Sequence, residues 1–353
     1  MPKTSIYASS NTRAEARASS RRQHQRVHRD GGPSQSYRDS ETHFTDTAAS
    51  QYLDHAELDP ETRLSKIAML GTHDAGTYMF SRARAGRAVS LGSLVPGAFK
   101  CQSLDLVEQA KMGVRYFDIR VVQDGNGIYR FFHGPSKAAG DALSETIKLL
   151  NHASADKKNF YICKFHFEKE DAISFLEKVI ENVGSSLIKN TGGLLGDVTI
   201  GNSIVEGRNI AAVVHKADTA VHNPSISQFV WNYKDNISTK WGNVCDGNEL
   251  GQHIRNFYTQ NAEGAGGKIS VTQTNMPFFS TKKISLPRSV KKLAQRGHEA
   301  VANVIEDLAA GSVNPGVISI DYAGKSHISS TRRYSEMIKN INSLLKRRVV
   351  TQL

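Results

Sequence analysis

The sequence predicts an α/β protein folded as a TIM-type βα barrel, with room for irregularity, behind a disordered N-terminal tail. Three observations carry this. Eight strand-like apolar runs recur between residues 66 and 321, most of them separated by helical patterns. A chain of 353 residues, 39% of them apolar, is long enough for one large barrel plus a tail. Finally, His73, His133, Lys164, His215 and Asp321 all fall at or near the ends of predicted strands, where barrel enzymes hold their chemistry.

Residues 1 to 50 are rich in Ser, Arg, Gln, His and Thr and nearly lack large apolar side chains. Such a segment cannot bury enough surface to offset its ordering entropy, so a disordered, basic tail is expected. Residues 51–353 form the barrel domain. Lys66–Leu70 is its first strand, opening at Gly71-Thr72-His73-Asp74-Ala75-Gly76-Thr77. A long segment, Tyr78–Lys100, combines Arg82, Arg84 and Arg87 with Leu91, Leu94, Val95 and Phe99; this mixture suits an anionic bilayer surface or packing on the barrel itself. Ser103–Met112 reads as a helix with Ser103 as N-cap and Gly113 as its stop.

Strands follow at Val114–Val122 and Ile128–His133, joined by the turn Asp124-Gly125-Asn126-Gly127. Asp141–His152 is helical, Asn159–Phe167 a fourth strand, and Glu168–Val183 an amphipathic helix. Asn209–His215, Ser227–Trp231, Lys268–Gln273 and Val317–Asp321 are the remaining strands. Helices span Pro287–Leu308 and Ser329–Arg348, the last with a basic end.

Composition narrows the function. The net charge of +11 attracts nucleic acid, anionic lipid or phosphorylated small molecules alike, but no nucleic-acid motif is present, so no nucleic-acid partner is expected. Three cysteines without CxxC spacing argue against a disulfide framework and a Cys-based zinc site. No run of eighteen apolar residues and no apolar leader occur. A cytoplasmic or peripheral-membrane location is expected, with export by an effector-type route as an alternative. A monomer is favoured.

Small residues flank His73 on both sides, letting the backbone turn sharply and leaving room for a substrate. Arg120 lies in an otherwise apolar strand; a buried arginine must be paired, with Asp74, Asp118 or a phosphate as partners. Its planar fork suits non-bridging phosphate oxygens. His133 ends an apolar strand before Gly134-Pro135, and Asp321 ends another. Asp321 could orient one imidazole and stabilise its cation. Two histidines, an arginine and a carboxylate at strand ends point to phosphodiester cleavage. Lys164 is a weaker candidate, and His166 reads as a core histidine. No spacing demands a metal.

Leu70–Thr77, Gln102–Val121, Phe131–Pro135 and Val317–Ala323 resemble the phosphatidylinositol-specific phospholipase C X-domain superfamily, most closely its calcium-independent bacterial enzymes and X-domain-containing single-domain proteins. Phe160–Phe167, Trp241-Gly242-Asn243 and Ile269–Gln273 support this, and the resemblance spans about 66–323. It implies a phospholipase C-like phosphodiesterase barrel with His73 as general base, Arg120 as the phosphate-stabilising group and His133 as general acid. Asp74 would be tied to the arginine and acid, and Asp321 would orient the base. No calcium or other cofactor is implied, because Asp74 stands where calcium-dependent relatives carry Asn. Substrate contacts are expected from Lys164, His215, Lys216, Tyr233 and Tyr322. The headgroup contacts after strand five and in strand six match poorly: the region of Lys216 and Arg208 would suit extra phosphates on an inositide. The expected partners are a phosphoinositide or other phosphodiester lipid and an anionic membrane surface. Two alternatives are a non-catalytic inositide-binding protein and a metal-dependent barrel phosphodiesterase acting on glycerophosphodiesters or sphingolipids.

Overall fold

The computed structural model describes residues 52–80, 94–168, 172–260, 266–278 and 289–346. The predicted tail, Arg82, Arg84, Arg87 and Leu91 of the loop, and Arg347 and Arg348 lie outside the described residues.

A curled parallel sheet organises the chain. Its strands are β1 (Met69–Thr72), β2 (Val114–Gln123), β5 (Tyr161–Phe167), β6 (Ile210–His215), β7 (Val230–Asn232), β8 (Ile237–Thr239), β9 (Ile269–Gln273) and β10 (Val317–Ile320). They run in the order β7-β6-β5-β2-β1-β10-β9-β8. Among the described residues no ladder joins β7 to β8, so the barrel is open there.

The eight staves are not the eight predicted strands. β3 (Tyr129–His133) pairs antiparallel with β2, Val121 opposite Phe131, and then with β4 (Ser136–Lys137). It is the returning arm of a hairpin. The vacated place is taken by β8, whose Ile-Ser-Thr is too short to signal itself.

The longer helices are α1 (Leu106–Lys111), α2 (Ala142–Ala155), α3 (Ala172–Val183), α4 (Gly247–Gln260), α5 (Val290–Ala310) and α6 (Thr331–Ser343). α1 starts later than predicted. Asp105, not Ser103, caps it: its carboxylate accepts from Glu108 N while Glu108 accepts from Asp105 N, a reciprocal box that satisfies two otherwise orphaned donors. Asp141 and Ser289 cap α2 and α5 in the same sense. No described helix is long and apolar enough to cross a membrane.

Strand alternation explains where the site forms. In β2, Phe117, Ile119 and Val121 join the core under the helices, while Tyr116, Asp118 and Arg120 turn inward. The parallel register sets Tyr116 beside Ile162, Asp118 beside Lys164 and Arg120 beside His166. Ile162, Lys164 and His166 in turn sit beside Ala211, Val213 and His215. The lumen therefore changes layer by layer. Its floor is apolar and includes Met69, Tyr116, Ile162, Ala211, Val271 and Val317. Its upper layers, at the C-terminal strand ends, carry charge.

Candidate active site

Each functional side chain reaches this upper layer for a local reason. His73 follows β1 directly, with its N–H on Ile320 O. Asp74 then adopts the left-handed conformation (φ 46°, ψ 55°), which asparagine and aspartate tolerate better than most residues, and folds its carboxylate back under the imidazole. The turn can close because Gly76 lies flat on the Phe131 ring; a Cβ there would meet the ring at 2.2 Å. His133 belongs to the hairpin arm, not to a stave: β2 overshoots the barrel, and β3 returns the chain to the same mouth.

The residues converge. His73 Nδ1 lies 2.9 Å from Asp321 Oδ1, and its Nε2 lies 3.0 Å from Arg120 Nη2. A guanidinium only donates, so Nε2 holds the lone pair and Nδ1 donates to Asp321. Arg120 Nε is 2.6 Å from Asp74 Oδ1, and its Nε and Nη2 reach Asp118 Oδ2 at 3.2 and 3.0 Å. Its Nη1 has no protein partner among the described residues. The other oxygen of Asp118 accepts from Lys164 Nζ at 2.7 Å.

His133 donates Nδ1–H to Phe99 O at 2.8 Å, leaving Nε2 at 3.4 Å from Asp74 Oδ2. His73 Nε2 is 3.5 Å from that same oxygen, so the two imidazoles border one small space, with their ring centroids 5.9 Å apart at 90°. The buried Asp74 carboxylate makes no aligned hydrogen bond; the charge of Arg120 holds it.

Burial alone would lower the pKa of His73, but Asp74 and Asp321 outweigh it and the opposing Arg120 and hold the imidazole above its ordinary value. Burial works against ionised Asp118, yet Arg120 and Lys164 keep its carboxyl well below the usual carboxylate range. The Lys164 ammonium is lowered, by burial first and by Arg120, with Asp118 opposing. His166 and His215 are lowered to about 3 and about 4, by burial and then by Lys164.

These groups line a cavity of about 780 Å³. One side carries Asp118, Lys164, His166, His215 and Tyr233, where His215 lies 4.5 Å from the Tyr233 ring and Lys164 Nζ 5.2 Å from it. The rim is apolar, and Val95 and Trp241 are about half exposed there.

The structure gathers His73, Asp74, Arg120, His133 and Asp321 into one cluster, with Lys164, His215 and Tyr233 beside it. Lys216 is exposed and outside the cavity lining. Arg208 precedes β6, at the opposite sheet end, bound to Leu187 O and Glu206. Tyr322 is turned away: its hydroxyl donates to Lys100 O at 2.7 Å, and its ring packs with Cys101, Val290 and Ile328. Asp118, which the sequence presents only as a possible counter-ion, is the shared partner of Arg120 and Lys164, and its inward parity with Arg120 marks it as a member. His166 lines the cavity as well as bordering the core.

His73, Asp74 and Cys101 each bring one donor atom to within 4.8 Å of the others, a spacing that could hold a metal ion. Arg120 already engages His73 Nε2 and Asp74 Oδ1, so a cation held there would have to displace the guanidinium. Burial pushes the Cys101 thiol well above its ordinary pKa, with Asp321 and Asp74 adding to it, which disfavours the thiolate a metal needs.

No family model and no curated protein matches the sequence. Solved structures do match. A variant of phosphatidylinositol-specific phospholipase C from Staphylococcus aureus superposes with TM-score 0.57 and 14% identity over 81% of this chain and 97% of that one. The phosphatidylinositol-specific phospholipase C of Listeria monocytogenes superposes with TM-score 0.55 and 18% identity, over 81% and 97% of the two chains. This chain has the barrel fold of the bacterial phosphatidylinositol-specific phospholipases C.

Proposed function

We propose that this protein is a phosphodiesterase that cleaves an inositol phospholipid between phosphate and diacylglycerol, without a divalent cation. The observation that carries the reading is the pairing of two imidazoles about Asp74 Oδ2, with Arg120 beside one of them. One is locked by Asp321 as the tautomer whose Nε2 carries a lone pair, facing Arg120; the other has Nδ1 tied to a carbonyl and Nε2 facing the same space. A protein that only bound its ligand would have no need of two oriented ring nitrogens.

In this reading His73 Nε2 takes the proton of the inositol 2-hydroxyl, whose oxygen attacks phosphorus. The resulting imidazolium is stabilised by Asp321 and Asp74. Arg120, preorganised by Asp74 and Asp118, meets the charge growing on the equatorial oxygens. His133 Nε2 gives its proton to the departing glycerol oxygen. Diacylglycerol and a cyclic inositol phosphate result. Arg120 supplies the fixed positive charge that a cation would otherwise supply.

The headgroup side favours an uncharged polyol. Asp118 takes the Lys164 ammonium, and His166 and His215 are held neutral. Lys216 and Arg208, the cations expected to bind extra phosphates, are outside the cavity. The Tyr233 and His215 rings and the buried ammonium offer faces and hydrogen bonds to hydroxyls. At the rim, exposed Leu94, Val95 and Trp241 are suited to contact a lipid surface.

Phosphorus NMR of phosphatidylinositol vesicles incubated with the protein in chelator tests the reading. A cyclic phosphodiester signal, absent with His73→Ala, is expected. No turnover of any inositol lipid, with the protein folded, would overturn it.

A further inference from the structure

A strap of four residues, Phe99 to Gln102, touches the chain around every acid-base group of the site. Gln102 is fully buried. Its Nε2 donates to His73 O and to Ile320 O, both at 2.9 Å, and its Oε1 accepts from Ala323 N at 3.1 Å. Both amide hydrogens and the amide oxygen are thus used, and all three partners adjoin the site. His73 is the first residue after β1; Ile320 and Ala323 bracket Asp321 after β10.

The rest of the strap is sewn to the same turns. Cys101 N and Gln102 N donate to Thr77 Oγ1, which donates to Asp74 O at 2.7 Å. Cys101 O accepts from Tyr322 N, and Lys100 O accepts from the Tyr322 hydroxyl. Phe99 O receives the Nδ1–H of His133.

We propose that Gln102 is a positioning residue of the acid-base centre: its side-chain amide fixes the spacing of the β1 and β10 ends, and so the His73–Asp321 contact on which the base depends. This inference rests on the function proposed above for its kinetic consequence, but not for its geometry. Glutamine fits the task because one side chain must give two hydrogens and take one. Glutamate could not donate, and asparagine falls one carbon short. Loss of the amide would leave the His73 carbonyl and the Ala323 N–H unpaired in the interior, and Ile320 O with only the His73 N–H; such groups are costly, and the strand ends would move to re-pair them. Catalytic geometry is sensitive to this: a displacement of about 1 Å costs up to ~10²-fold in rate.

Three full-length proteins test this: Gln102→Leu, Gln102→Asn, and Tyr322→Phe, which removes only the strap's bond at Lys100. Folding is followed by circular dichroism. His73 is followed by NMR titration of its ring nitrogens without substrate, which separates this inference from the question of activity. The groups facing His73 are Asp74, Asp321 and Arg120, with His133 and Cys101 alongside. Because Asp321 raises the His73 pKa, a loosened contact lowers it. Gln102→Leu is expected to fold, to titrate His73 lower than wild type, and to lose about 10- to 100-fold in kcat with little change in KM. Tyr322→Phe should show a smaller shift in the same direction. A folded Gln102→Leu with wild-type titration and kcat overturns the proposal. Should Gln102→Leu fail to fold, Gln102→Asn decides: a lowered His73 titration supports the role, and a wild-type one overturns it.

Discussion

Strand β2 carries two arginines, five residues apart, at opposite ends of one sheet, and each stands near a buried histidine. Their fates differ. At the N-terminal end, Arg115 gives Nη1 to Ala110 O and Val114 O and stacks 4.8 Å over the Tyr161 ring. Asp156 spends its carboxylate on the Tyr161 hydroxyl and Asn159. His55 Nδ1 accepts from Phe160 N at 3.1 Å, and burial, then Arg115, lower its pKa to about 3. At the other end, two carboxylates approach the His73 ring directly and hold its pKa up. The cavity beside His73 measures about 780 Å³; the one beside His55 holds about 20 Å³. Residue types alone do not make a site. A carboxylate in contact with the ring, and space for a substrate, separate a base from a packed core histidine.

The largest expected effect separates the two histidines. His73→Ala should lower kcat/KM by ~10²–10⁴-fold and leave the fold intact. His55→Ala should do the reverse: activity is retained, and the unpaired Phe160 N–H costs roughly 1–3 kcal/mol in denaturant unfolding. The arginines come next. Arg120→Lys keeps the charge but loses the fork, and a fall of ~10²–10³-fold in kcat is expected, whereas Arg115→Lys should turn over as wild type.

The pH dependences should then diverge. In the proposed reaction His73 works deprotonated, so the acid limb of kcat/KM should lie above the ordinary imidazole value. Asp321→Asn removes a charge that raises the His73 pKa and should move the limb to lower pH. At the other end the sign is opposite and the readout is stability. Unfolded His55 takes up a proton near 6.5, but folded His55 only near about 3, so the unfolded state binds more protons between these values. Stability is therefore lost as pH falls through that window, and His55→Gln should flatten the loss seen in denaturant unfolding. Folded His166 and His215 add to the same slope. The smallest effects belong to Lys216→Ala and Arg208→Ala. Both should leave KM unchanged, since neither borders the cavity; exposed Lys216→Ala should keep stability within ~0.5 kcal/mol, while Arg208→Ala gives up its hydrogen bond to Leu187 O and should cost roughly 0.5–1.5 kcal/mol.

Much of this was legible in the sequence. Strand ends marked His73 and Asp321, and an arginine among apolar residues marked Arg120. His133 does end an apolar strand, but that strand is a hairpin arm whose apolar run looks like a stave. Between residues 234 and 267 the sequence shows no plain strand or helix period, yet β8 and α4 lie there. β8 is three residues with one apolar side chain, and α4 hides Leu250, Ile254, Phe257 and Tyr258 among polar neighbours. Gln102 was invisible because its role is to pair backbone groups brought together only by the fold. Tyr322 misled for a related reason: adjacency to Asp321 suggested a substrate contact, but its left-handed backbone (φ 54°) turns the ring toward the strap.

The central claim is a division of labour between two imidazoles. The direct test is turnover of two inositol phosphodiesters, one with an alkoxide leaving group and one with a thiolate, by His73→Ala and His133→Ala. A thiolate leaves without a proton, so the second substrate needs no general acid. His133→Ala, impaired ~10²-fold or more on the alkoxide substrate, is expected to recover most of its activity on the thiolate one, while His73→Ala remains impaired on both. Equal impairment of the two variants on both substrates would contradict it.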